Sequence, residues 1–117
     1  MGKNIEYYVV NCANNKTNTM FYLYILHSVT ANKYYVGHAE NVQEALAYHN
    51  TGTEQKYTGK FQDWTLQAAF EAGKEKSGAL EMEKFINKQK NIKLVLKLVD
   101  PAFVPADKLA TLVRVAL

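Results

Sequence analysis

Residues 21–37, FYLYILHSVTANKYYVG, constrain the possible folds more than any other stretch of this chain. Two short runs of aromatic and β-branched residues, 21–26 and 34–37, flank the polar segment 27–33. Such runs suit a pleated, half-buried surface, and the Thr-Ala-Asn-Lys segment between them can carry a loop. A β-hairpin is expected, with Gly37 closing its second strand. Tyr22, Tyr24, Tyr34 and Tyr35 place four phenols on these two adjacent strands. Alternation puts some of them on one face, where such rings either pack a core edge or line a pocket.

The rest of the chain reads as alternating short elements. Within 1–19, residues 5–12 form a possible strand and 13–19 a polar link, so this part is an added strand or a loosely held arm. Asn41 is placed to cap a short helix over 42–49, with Ala45, Leu46 and His49 sharing a face and 50–52 ending it. Residues 51–63 form a polar loop, and 64–70 alternate Trp64, Leu66 and Ala68 onto one side of a third strand. Ser77 is placed to cap a helix over 79–90 whose inner stripe is Met82, Phe85, Ile86 and Gln89. Residues 91–98 fit a helix through Ile92, Leu94, Val95 and Leu98, or a strand through Leu94, Leu96 and Leu98; the helix is preferred. Pro101 stops it. Pro105 then starts a last helix reaching about Val115, with Leu109, Leu112 and Val113 inward. The expected fold is a small α+β domain, a three-stranded antiparallel sheet flanked by helices, with an N-terminal extension and an extra C-terminal helix.

A chain of 117 residues is long enough for one core and fits one domain. Cys12 stands alone, which excludes a disulfide framework and a thiolate metal cluster; it reads as a small buried hydrophobe. No run approaches the roughly 20 apolar residues of a membrane helix. The first residues also lack a basic stretch followed by an apolar one, so a cytoplasmic protein with no membrane partner is expected. Net charge is +3, from thirteen lysines and Arg114 against eleven acids. That balance alone does not propose a nucleic-acid partner.

Several elements in order resemble the GIY-YIG nuclease superfamily, over 20–98. Tyr22-Leu23-Tyr24 stands where the family has Gly-Ile-Tyr, and Tyr35-Val36-Gly37 where it has Tyr-Ile-Gly, the tyrosines eleven positions apart. His49-Asn50-Thr51-Gly52 is similar to the family's His-Asn-Ser-Gly after the first helix. Lys56-Tyr57-Thr58 and Trp64 sit like the following loop and strand, and residues 79–84 resemble the helix carrying the metal-binding glutamate. The likeness is strongest to small members similar to the N-terminal domain of the excision-repair nuclease subunit.

The resemblance implies hydrolysis of a DNA phosphodiester with one divalent cation, Mg or Mn. It makes Tyr24 or Tyr35 a general base whose pKa must be lowered, Glu83 the metal ligand, and His49 an accessory proton-handling group. The bland readings stand beside these: His49 as a partner for a helix C-terminus, Glu83 as a solvated carboxylate, His38 as a surface strand residue or a substitute cation. One component is missing. The family's phosphate-binding arginine falls eight residues past the glycine, and Gly37 leads to Ala45, with Gln43 and Glu44 beside it. Residues 20–56 carry net −1, while Lys84, Lys88, Lys90, Lys93 and Lys97 gather on the later helices, where a solubilising surface is the plain reading. The expectation is therefore a GIY-YIG endonuclease-like domain with an impaired site and weak DNA affinity. The alternative is a non-catalytic module binding nucleic acid or a protein partner on the same scaffold.

Overall fold

The computed structural model describes residues 19–51 and 61–117. The N-terminal strand or arm expected before Thr19, Cys12, and the segment holding Lys56, Tyr57 and Thr58 lie outside the described residues. In chain order the elements are β1 (Phe21–Ser28), β2 (Lys33–Ala39), α1 (Val42–His49), β3 (Trp64–Gly73), α2 (Lys76–Gln89), α3 (Ile92–Val99) and β4 (Val113–Arg114). All strand pairs are antiparallel, in the order β2-β1-β3-β4.

The hairpin forms where its residue types place it, and its strands run longer than the aromatic runs alone. Asn32 closes the turn in the left-handed region (φ 53°), a conformation its short polar side chain tolerates, and its N–H reaches Val29 O at 3.2 Å. Ser28 is fully buried yet satisfied. Its Oγ donates to Asp63 Oδ1 at 2.5 Å and accepts from Ala31 N at 3.0 Å, while Asp63 Oδ2 accepts from Thr30 N at 2.9 Å. The bonds from Ser28 and then Thr30 hold the Asp63 carboxyl at about 2, below its ordinary 3.8. The hairpin turn is thereby tied to the entry of β3.

Both faces of the sheet are covered. On one, Leu23, Ile25, Val36, Ala68 and Phe70 pack against Ile86 of α2, Leu98 of α3, and Leu109 and Leu112 beyond them. Leu23, Ile25, Phe70 and Leu98 are entirely removed from solvent, and each contributes about 1.5–3 kcal/mol by burial. On the other face Tyr24, Leu26 and Trp64 pack with Tyr35, Val42, Ala45 and Leu46, so α1 is the cover there. A bulge in β3 makes this division possible. Ile25 pairs with Ala68 but Leu26 pairs with Leu66, leaving Gln67 as an extra residue. The alternation inverts at that point. Trp64 and Leu66 therefore face α1, while Ala68 faces the opposite core, and the three do not share a side as expected.

Helix α1 keeps its expected bounds. Asn41 Oδ1 caps it by accepting from Glu44 N at 3.0 Å. At its other end Asn50 Nδ2 donates to Trp64 O at 3.0 Å, and Asn50 Oδ1 accepts from Trp64 N at 2.9 Å. The asparagine after His49 is thus a clamp between α1 and β3. Helix α3 forms as the preferred alternative, with Asn91 as its cap. Helix α2 begins at Lys76, so Ser77 lies within its first turn, and Gln89 is exposed instead of belonging to the inner stripe.

The sheet has four strands, not three, and the last expected helix is not formed. Asp107 adopts φ 55°, which a continuous helix cannot accommodate, and only a 3₁₀ turn survives at Asp107–Leu109. The chain then pairs Val113 with Glu71 and Arg114 with Phe70, covering part of the free edge of β3. Leu109 and Leu112 are buried as expected, but Val113 is 56% exposed. Arg114 is committed to this arrangement. Its guanidinium donates to the carbonyls of Leu98, Asp100 and Phe103 at 2.9, 2.8 and 3.0 Å and lies 4.7 Å over the Phe70 ring. Among the described residues no helix is long and apolar enough to cross a membrane.

Candidate functional site

The hairpin register builds the site from three residues. Tyr24 on β1 lies directly opposite Gly37 on the edge strand β2. With no side chain at Gly37, the Tyr24 ring crosses β2. A Cβ there would come 2.8 Å from Tyr24 Oη and 2.8 Å from Tyr35 Cε2. Tyr35 sits two residues before the glycine and so points to the same face, with its ring centroid 6.2 Å from that of Tyr24.

Helix α1 brings His49 onto these rings. Tyr24 Oη lies 2.9 Å from His49 Nε2, and the Tyr35 and His49 centroids are 4.6 Å apart. His49 is only 6% exposed, so its ring is a fixed part of the wall, while Tyr48 beside it is 45% exposed. Burial pushes the Tyr24 phenol well above its ordinary value of 10.0, with the nearby Tyr35 and the Glu83 carboxylate adding to the shift. Tyr35 is raised for the same reasons, burial first and Glu83 second. This reverses the condition set for a tyrosine base. Neither phenol is poised to ionise by itself near neutral pH.

Glu83 projects from α2 and meets His38 of β2, whose Nδ1–H donates to Glu83 Oε1 at 2.5 Å. A cleft of about 820 Å³ opens beside these groups, lined by both tyrosines, His38, His49, Glu40, Glu44, Ala45 and Lys76, among others. Of the four expected residues, Tyr24, Tyr35 and His49 line the cleft, whereas Glu83 is not part of its lining and contacts the lining residue His38. Tyr24 and His49 touch, and Glu83 joins the wall through His38. Ala45 does line the cleft, so the position expected to hold an arginine is at the site and is a methyl group.

Sequence reasoning missed Lys76. Nothing marks it within Gly-Lys-Glu-Lys-Ser, but the pairing of Gly73 with Phe21 returns the chain to the start of β1. Lys76 thereby arrives at the cleft at the first position of α2.

One phenol from β1 and one from the edge strand β2, with a buried imidazole against the first, thus share one wall of an α+β domain. A family model described as the GIY-YIG catalytic domain matches residues 20–94, and the chain belongs to that family. A search of curated proteins found no match.

GIY-YIG nucleases generally use a divalent metal. Among the described residues no three His, Cys, Asp or Glu side chains converge as a ligand set. A single carboxylate can hold a hard cation that keeps several of its waters. Glu83 would be that carboxylate, with one oxygen engaged by His38.

Proposed function

We propose that this domain hydrolyses DNA phosphodiester bonds slowly, as a GIY-YIG nuclease whose phosphate-binding arginine has been lost. The contact between Tyr24 Oη and His49 Nε2, 2.9 Å long on the cleft wall, carries this reading. With burial keeping the phenol protonated, we assign its O–H as the donor, Nε2 as the acceptor, and the imidazole proton to Nδ1. In that arrangement an attacking water gives its proton to the phenol oxygen as the phenol's own proton passes to Nε2. The phenolate need never accumulate, so the raised pKa of Tyr24 does not prevent general-base action. Tyr35 packs against the imidazole and fixes its plane. A divalent cation held by Glu83 would supply charge neutralisation on the phosphate and the leaving oxygen.

Ala45 is the source of the attenuation. A preorganised donor on the developing charge is worth about 10²–10³ in rate, and a methyl group supplies none. A second reading, a non-catalytic module binding nucleic acid or a protein partner, is favoured by Glu40 and Glu44 lining the same cleft and repelling phosphate.

Supercoiled, branched and single-stranded DNA incubated with the protein in Mg²⁺ or Mn²⁺ separates the readings. Cleavage is expected to be slow, to be abolished by Glu83→Ala, and to rise in Ala45→Arg by up to the donor range of about 10²–10³. Absence of cleavage by the native chain and by Ala45→Arg would leave the binding module as the surviving reading.

A further inference from the structure

We propose that Lys76 is the phosphate-contacting cation of this cleft, standing in from α2 for the arginine that α1 lacks. The inference rests on the phosphodiester-site reading above and adds to it a residue that the sequence analysis did not single out. Among the described residues lining the cleft, Lys76 alone carries a permanent positive charge. Glu40 and Glu44 line the same space, and Ala45 offers no donor. Without Lys76 the fixed charges of the wall are negative, and an approaching phosphodiester meets only repulsion. Arg114, the chain's one arginine, is bound to three backbone carbonyls behind the sheet and cannot serve.

Lys76 is also available. It is exposed and forms no ion pair with another described residue, whereas His38 of the same cleft is engaged by Glu83. Its place at the cleft follows from topology, because β3 ends opposite the start of β1 and α2 begins three residues later. A lysine reaches a phosphate as a mobile point charge on a long stem, not as a fixed two-pronged donor. Such a contact neutralises charge but orients the phosphate less well than an arginine would, which agrees with weak affinity and a slow reaction.

The test measures binding independently of turnover. A fluorescein-labelled DNA strand is titrated with the full chain in Ca²⁺ by anisotropy over a series of salt concentrations, and the same proteins are assayed for cleavage in Mg²⁺. Lys76→Gln is expected to weaken binding at least tenfold and to lower the slope of log affinity against log salt by about 1, as loss of one phosphate contact requires. Lys76→Arg should restore both quantities, and adding Ala45→Arg to Lys76→Gln should restore binding from the opposite wall. Circular dichroism melts confirm that the exposed substitutions leave the fold intact. Unchanged affinity and slope in Lys76→Gln, with the native chain binding, would overturn the inference and leave the phosphodiester reading standing. Equal loss in Lys76→Gln and Lys76→Arg would also overturn it, since charge would not be the cause. Loss of binding in Lys76→Gln, restored by arginine, in a chain that never cleaves would uphold the inference and remove the claim of turnover. A native chain that neither binds nor cleaves would remove both.

Discussion

Replacing Gly37 by alanine is the most direct way to test how the hairpin makes the site. The added Cβ would lie 2.8 Å from Tyr24 Oη, 2.9 Å from Tyr24 Cζ and 2.8 Å from Tyr35 Cε2. Tyr24 is 3% exposed and held between β2 and α1, so its ring has little room to swing aside. Overpacking of this kind costs about 1–3 kcal/mol. A displaced ring also loses its contact with His49, another ~0.5–1.5 kcal/mol. The sum, about 1.5–4.5 kcal/mol, corresponds to a melting shift on the order of 10 °C for a domain of this size. Urea denaturation measures the loss, and the imidazole proton signal of His49 by NMR reports whether the phenol has left it. In a Tyr24→Leu background the same glycine substitution should cost less, because two of its three clashes are gone. A Gly37→Ala protein within about 0.5 kcal/mol of the native chain, its His49 signal unmoved, would show that the close approach does not govern this site.

Two further outcomes follow from the same geometry. Asn50→Ala removes both side-chain bonds to the backbone of Trp64, a residue 2% exposed, and should cost about 2–4 kcal/mol in urea unfolding. Asn50→Asp keeps only an acceptor for Trp64 N–H and should fall between the two; equal stability of all three proteins would deny the clamp. Tyr24 and Tyr35 have folded pKa values raised above the ordinary 10.0, so their contribution to stability is fully present below that pH and is lost as pH climbs past it. Phenolate absorbance should show two tyrosines that ionise late or only on unfolding, and Tyr24→Phe should flatten the alkaline fall in stability. A stability curve of unchanged slope in that variant would contradict the assignment.

What could be read in advance was whatever depends on pairing between near neighbours in the chain. The eleven-residue spacing of Tyr24 and Tyr35, with Gly37 two beyond, is a statement of hairpin register: it sets Tyr24 against the one residue that lets its ring pass. The Asn41 cap was equally local, and α1 kept its bounds. Elements decided by distant partners were not legible. The segment after Pro105 has helical spacing of leucines, but the open edge of β3 competes for it, and Asp107 turns the chain out of the helix. The bulge at Gln67 belongs to the same class, since nothing in Trp64-Thr65-Leu66-Gln67-Ala68 shows that the core changes sides midway.

The same distinction accounts for the chemistry of the cleft. Its aromatic wall was foreseeable because each member is placed by hairpin register or by the next helix. Its charge was not, because the cleft joins the start of β1, the end of β2, α1 and the start of α2, and their net field appears only on assembly. Counting charge along 20–56 gave a negative half and argued against phosphate binding, yet Lys76, twenty residues beyond that window, faces the same space. Ala45 puts a methyl group on the α1 wall of the cleft, where a donor was expected. It does not establish that the cleft lacks a cation, since a phosphate responds to charge in space and not to the helix that supplies it. On the function proposed above, turnover of DNA depends on how well a mobile ammonium from α2 can do what a guanidinium on α1 would do.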